Sequence, residues 1–224
     1  MIINNGNIIY KSGAFAKYIG YAFSWNASGD TFATTDGFSW NKINLWSFNV
    51  SLGSVFAGGK FAVFNEDGSK QIIALRKNTP AVSYWPYIYT IDSGKTWSFS
   101  TSMYIGVTIT EGMSLKYIKQ YDAFYALASF RLYKSTDLVT WGSSLRTDIA
   151  TFAYGRGMIL ALTSASPYCV KSTDGGSTWT NLTQSSIIYN SSYPNMVYGN
   201  GYFLVSPTYG STDMKYTQNG STWY

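Results

Sequence analysis

S-T-D-G-G-S-T-W, from Ser172 to Trp179, decides how the rest of the chain is read, because the chain repeats it. A near copy, T-I-D-S-G-K-T-W, runs from Thr90 to Trp97. Two copies are one residue shorter: T-T-D-G-F-S-W (Thr34 to Trp40) and S-T-D-L-V-T-W (Ser135 to Trp141). A fifth, T-Q-N-G-S-T-W, ends at Trp223 and places Gln218 where an aspartate is expected. Self-similarity of this kind means one supersecondary unit used several times.

The residue types in each copy suit a hairpin turn. An aspartate carboxylate accepts hydrogen bonds from backbone N–H groups just downstream and so closes an Asx turn. Gly94, Gly176 and Gly220 suit positive φ, which such turns demand and other residues tolerate poorly. The tryptophan then re-enters a sheet, where its ring fills space between neighbouring sheets. Asp36, Asp92, Asp137 and Asp174 each have this complete local task, so they read as structural rather than catalytic or metal-binding.

Upstream of every copy lies a second turn flanked by apolar residues. The stretches are Met1 to Tyr10, Val55 to Phe64, Lys116 to Leu127, Phe152 to Leu162 and Met196 to Val205. Asn-Gly, Gly-Gly and Gly-Asn-Gly between apolar runs signal hairpins. These are strands one and two of each unit, and the repeated phrase joins strand three to strand four. The first two units carry extra chain around Ser12 to Asp30 and Glu66 to Trp85, expected between strands two and three. Such loops form a binding surface or pad the rim.

The repeated phrase resembles that of the Asp-box, or BNR-repeat, β-propellers, whose motif S-x-D-x-G-x-T-W sits between the third and fourth strands of a blade. The resemblance implies an all-β, five-bladed β-propeller in one domain over 1–224, with blades near 1–45, 52–102, 114–145, 149–183 and 195–224. A six-bladed ring, or an incomplete one completed by a partner, is the alternative. The structural box residues are then Asp36, Trp40, Asp92, Gly94, Trp97, Asp137, Trp141, Asp174, Gly176, Trp179, Gly220 and Trp223. Similar boxes occur in sialidases and other glycosidases, photosystem II assembly factors, sorting receptors and virion-associated phage proteins, so the motif specifies fold more than function.

Composition narrows the classes. Hydrophobic content of 46% suffices for a packed core, while 18% aromatic and only 12% charged residues depart from ordinary domains. The formal charge of +5 is scattered, with a local concentration only at Lys70, Arg76 and Lys77, so nucleic acid is not expected as a partner. Cys169 is the single cysteine and there is no histidine, which argues against a disulfide, a zinc site or any metal or cofactor. Cys169 reads as a small buried thiol in the third strand of blade four. No leader-like opening and no stretch of ~20 apolar residues is present, so neither export nor membrane insertion is expected.

An enzyme of sialidase-like type needs paired carboxylates or a tyrosine nucleophile, and sialidases grip their substrate with an arginine cluster. The chain has Arg76, Arg131, Arg146 and Arg156, with glutamates only at Glu66 and Glu111. The arginine motif that opens the sialidase family is missing. The expectation is therefore a non-enzyme that binds through aromatic rings and amides: Tyr18, Tyr21, Trp25 and Asn26 in the first insertion, and Arg76, Tyr84, Trp85 and Tyr87 in the second. Burial of those same rings between blades is the competing reading.

Richness in Asn, Ser, Thr, Tyr and Ile with low charge resembles phage tail, fibre and capsid-decoration proteins in style. The expected role is recognition or attachment in a virion, with a surface glycan or another virion protein as partner. A glycosidase and an intracellular, cytoplasmic assembly scaffold are the alternatives. The chain reaches only the start of a fourth strand in blade five. An open edge around Asp213 to Thr217, covered by loops or by another subunit, is therefore expected.

Overall fold

The computed structural model describes residues 20–23, 30–34, 41–44, 56–77, 84–104, 114–166, 168–182, 195–206 and 214–224. The chain divides into two compact units, Met1–Tyr104 and Ile105–Tyr224. In the first, β1 (Gly20–Phe23), β2 (Asp30–Thr34) and β3 (Asn41–Asn44) form one sheet. A second sheet contains β4 (Phe56–Phe64), β5 (Gln71–Lys77), β6 (Tyr84–Thr90) and β7 (Ser98–Tyr104).

Among the described residues the second unit holds three sheets. They are β8 (Ser114–Ile118) to β10 (Arg131–Ser135) through β9 (Ala123–Ala128); β11 (Ile149–Gly155), β12 (Met158–Thr163), β13 (Cys169–Ser172) and β14 (Thr180–Asn181); and β15 (Met196–Gly199), β16 (Tyr202–Val205) and β17 (Lys215–Thr217). Within each sheet every strand runs antiparallel to its sequence neighbour. No helix among the described residues is long and apolar enough to cross a membrane.

Two-residue reversals build the hairpins. Arg156 and Gly157 take φ of 50° and 76° between the paired Gly155 and Met158, and Asn200 and Gly201 take 48° and 84° between Gly199 and Tyr202. Positive φ at both central positions matches the twist of the flanking strands. The β9–β10 reversal uses the same backbone at Ser129 and Phe130, with φ of 48° and 63° and no glycine to announce it.

Two expected insertions prove to contain sheet. Gly58 and Gly59 do not turn the chain. They lie inside β4, where the register shifts on either side of Gly59, so the pair is absorbed as an irregularity in a continuing strand. The reversal falls instead at 65–70. There the Asn65 carboxamide oxygen accepts from the Lys70 N–H (2.9 Å), Asp67 accepts from the Ser69 N–H (2.8 Å), and Gly68 has φ of 70°. Glu66 to Trp85 therefore spans a tight turn, all of β5 and the start of β6. Likewise β1 lies within Ser12 to Asp30, paired to β2 from Gly20 opposite Thr34 to Phe23 opposite Thr31. The hairpin expected at Met1 to Tyr10 lies outside the described residues.

Period-two alternation distributes the second unit's apolar side chains between two clusters. Ile159 and Ala161 of β12 join Ile118, Tyr125, Leu132, Phe152 and Val170 on one side. Met158, Leu160 and Leu162 join Cys169, Leu182, Met196, Phe203 and Trp223 on the other. The middle sheet is thus buried on both faces, and Cys169 is the small buried thiol expected of it. In the last sheet Tyr224 begins a fourth strand, since Tyr216 and Tyr224 exchange N–H···O bonds of 3.1 and 3.0 Å.

Lys116, on β8, crosses to the other two sheets. Its Nζ donates to the backbone oxygens of Phe152 on β11 (2.6 Å) and Met196 on β15 (2.9 Å), linking the first strands of three successive sheets. Burial lowers its pKa from 10.5 to about 8. A neutral amine still has two N–H donors for those two acceptors, which suits the lowered value.

Two predictions follow from this packing. Gly157→Ala meets only the positive-φ cost, with nothing within 4 Å of the added Cβ, whereas at Gly220 that atom would stand 2.5 Å from Leu160 Cδ1 and 2.6 Å from Leu182 Cδ1. Urea unfolding should show a loss of about 1 kcal/mol for the first and about 2–4 kcal/mol for the second; equal losses would contradict the close approach. For Lys116 the folded chain binds fewer protons than the unfolded chain between pH about 8 and 10.5, so its contribution to stability rises with pH across that window. Wild type should therefore gain stability relative to Lys116→Met from pH 7 to 10.5, measured by denaturant titration at each pH.

Candidate functional site

Each described box begins with a hydroxyl at the end of a third strand. Ser172 Oγ donates to Asp174 Oδ1 (2.8 Å) and accepts from the Gly176 N–H (2.8 Å). The Asp174 carboxylate then takes the Thr178 N–H (2.9 Å) and hydroxyl (2.5 Å). Thr90, Asp92, Gly94 and Thr96 repeat the arrangement, with the corresponding bonds at 2.6, 3.0, 2.9 and 2.6 Å. The shorter box at Ser135 reaches a nearer pair of donors, Val139 N–H (2.9 Å) and Thr140 N–H (2.8 Å), both on Asp137 Oδ1.

The last box corrects one assignment. Asn219, not Gln218, holds the aspartate's place. Its Oδ1 accepts from the Ser221 N–H (2.9 Å) and Thr222 N–H (3.1 Å), while Thr217 Oγ1 accepts from the Gly220 N–H (2.9 Å). This is the geometry of the short Ser135 box with an uncharged acceptor.

The hydrogen bonds set the charges. The Thr90 hydroxyl, followed by the Thr96 hydroxyl and N–H, lowers Asp92 from 3.8 to about 2. The Thr178 hydroxyl and N–H, followed by Ser172, do the same for Asp174. At Asp137 burial works to raise the value, but the N–H groups of Thr140 and Val139 outweigh it and hold the carboxyl below its ordinary range. These carboxylates are ionised and already engaged at neutral pH.

Around the Ser172 box the neighbouring sheet supplies the walls. The Tyr125 hydroxyl donates to the Gly175 carbonyl (3.0 Å), and burial pushes its pKa up. Trp179 folds back to donate from Nε1 to Gly176 (2.9 Å), as Trp223 does to Gly220 (2.9 Å). The Arg146 guanidinium lies 5.9 Å from the Trp179 ring centre and is paired in two places with Asp148. Lys134 Nζ stands 5.5 Å from the ring centre of Tyr121 and 5.8 Å from that of Tyr125. Beside it opens a cleft of about 470 Å³ lined by Lys134, Ser135, Thr136, Asp137, Thr140, Gly142, Ser143 and Leu145. Among the described residues no three His, Cys, Asp or Glu side chains gather as metal ligands.

The described residues among those expected to bind ligand lie in strands. Tyr21 belongs to β1, Arg76 to β5, and Tyr84, Trp85 and Tyr87 to β6. Tyr87 is fully buried with its ring 5.8 Å from that of Tyr89, so it is a core ring and leaves the candidate set. Tyr18, Trp25 and Asn26, with Asp36 and Trp40 of the first box, lie outside the described residues. Sequence reasoning missed Lys134, Tyr121 and Ser143.

No protein-family model and no curated protein matches the chain. Solved propeller structures do. YCF48 bound to D1 peptide is similar over 94% of the chain, with TM-score 0.51 and 13% identity. PorZ, an essential surface component of the type-IX secretion system of Porphyromonas gingivalis, is similar over 87%, with TM-score 0.59 and 10% identity. The GH74 enzyme of Niastella koreensis is similar over 95%, with TM-score 0.51 and 18% identity. The chain spans 65%, 25% and 37% of those chains' own lengths. At such identities the likeness is one of fold, and the fold is an all-β propeller.

The turn chemistry predicts an acid titration. Because the folded values of Asp92 and Asp174 are lowered to about 2, their stabilisation is complete above the ordinary 3.8 and is lost as pH falls through about 2. Carboxyl-carbon NMR should show both titrating near 2. Asp174→Ala should lower the melting temperature, and Asp174→Asn should lower it less, as the amide at Asn219 implies. An ordinary titration at 3.8 would remove the turn-closing role.

Proposed function

We propose that the chain is a non-enzymatic recognition propeller of five Asp-box blades, an attachment protein of a phage virion that binds a surface glycan or another virion protein. The observation that carries the reading is the state of the carboxylates in the repeated turns. Glycoside cleavage needs a carboxylic acid that holds its proton until the leaving group takes it, and so needs a raised pKa. Asp92 and Asp174 are lowered to about 2 and Asp137 is lowered as well, each by bonds that close its own turn. Their likeness in geometry is that of repeated structural parts.

Two further features support binding over catalysis. The cleft beside the Ser135 box is lined mainly by hydroxyls with one ammonium and one carboxylate, a mixture that suits a polar ligand. The low charge and the abundance of Tyr, Ser, Thr and Asn suit a protein exposed on a particle. The structural neighbours include an enzyme, a surface component and a peptide complex, so fold leaves function to the site.

The purified chain should bind on a glycan array, or to isolated virion proteins, and release no sugar from sialosides or aryl glycosides. Turnover abolished by Glu66→Gln or Glu111→Gln would overturn the non-enzymatic reading. Mass spectrometry of purified phage particles checks the virion location, and absence of the chain from them would reject it.

A further inference from the structure

The cleft beside the Ser135 box has chemistry more specific than polarity. Lys134 lines it, and its ammonium rests against the rings of Tyr121 and Tyr125. Ring faces position a cation by its charge but use its N–H groups poorly. An ammonium carries three donors. Among the described residues no hydrogen bond or ion pair engages that of Lys134, which stands beside Gly175 of the next turn, 3.2 Å from where a Cβ there would lie, at the inner end of a side chain that lines the cleft.

The other lining groups limit what that oxygen belongs to. Asp137 contributes a carboxylate, so the charged groups lining the cleft balance. The Asp174 carboxylate is close enough to act on Tyr125. An anion drawn to Lys134 would therefore meet two fixed negative charges, and a cation would meet the ammonium. Ser143 adds a hydroxyl that both donates and accepts, Thr140 adds one whose proton goes to Asp137 and whose oxygen can still accept, and Leu145 adds an apolar wall. The volume of about 470 Å³ falls in the ordinary range for small-molecule clefts, about 300–1,000 Å³.

We propose that this cleft binds an uncharged saccharide, with Lys134 donating to its oxygens and the Ser143 and Thr140 hydroxyls completing the contacts. The proposal rests on the glycan-recognition reading above and assigns it a place and a ligand class. A sugar's C–H face would lie against Leu145, and its hydroxyls would find both donors and acceptors without a net charge to compensate.

The test uses the full chain on an array of neutral oligosaccharides built from glucose, galactose, mannose and N-acetylglucosamine, with uronate-bearing and sialylated glycans beside them. The strongest neutral ligand is then titrated calorimetrically into wild type, Lys134→Met and Ser143→Phe. Lys134→Met keeps the stem and removes the donors. Ser143→Phe, on the exposed return from the turn, fills the mouth. Both should weaken binding by at least about tenfold, the scale of one lost charge-assisted hydrogen bond, with melting unchanged in Ser143→Phe. Unaltered affinity in Ser143→Phe would overturn this site while leaving glycan recognition standing. Binding confined to acidic glycans would overturn the ligand class, and binding to no glycan would remove both.

Discussion

A single hydroxyl group does the organising in each repeated turn. Ser172 donates to the carboxylate two residues on and accepts the Gly176 N–H from the other side, so one side chain closes two rings of hydrogen bonds at once. That closure holds Gly176 at φ of 94°, with Leu145, whose N–H bonds to Leu132 on β10, so near that an added Cβ would stand 2.6 Å from its Cδ1. Gly220 presses on Leu160 and Leu182 in the same way. The turn is therefore also a spacer between sheets. Remove the hydroxyl and the glycine is no longer held where the neighbouring leucine can pack on it.

Much of this was legible in the sequence, and the misses have physical causes. The boxes announce themselves because their chemistry is local: hydroxyl, carboxylate, glycine and tryptophan all act within eight residues. The Arg156-Gly157 and Asn200-Gly201 reversals are legible for the same reason. Gly58-Gly59 misled because glycine permits a strand irregularity as readily as a turn, and the partner strand decides between them. Asn219 was hidden by counting from the tryptophan, when the spacing is kept from the hydroxyl: Thr90 to Asp92, Ser135 to Asp137, Ser172 to Asp174 and Thr217 to Asn219.

Side chains that act across sheets left little trace. Lys116 looks like any strand lysine until β11 and β15 present their carbonyls to it. Tyr87 looks like a binding ring, yet within β6 it is completely buried. The candidate cleft is of this kind too. Lys134 is set by Tyr125 from its own sheet and by Tyr121 from the turn between β8 and β9, and Tyr125 is tied to the next sheet through Gly175. A recognition surface built this way inherits its rigidity from core packing instead of from long loops.

The asparagine in the last turn has a chemical consequence of its own. Asn219 precedes Gly220, and in an Asn-Gly pair the glycine nitrogen can attack the carboxamide to form a succinimide, the first step of spontaneous deamidation. Here that nitrogen is committed to Thr217 Oγ1 at 2.9 Å, and the side-chain oxygen is held by two N–H groups on the far side of the turn. The fold thus shields its own weakest covalent point. Ageing at this position becomes a record of how often the last turn opens, and hydrolysis of the succinimide to ordinary aspartate would leave behind the residue the other turns already use.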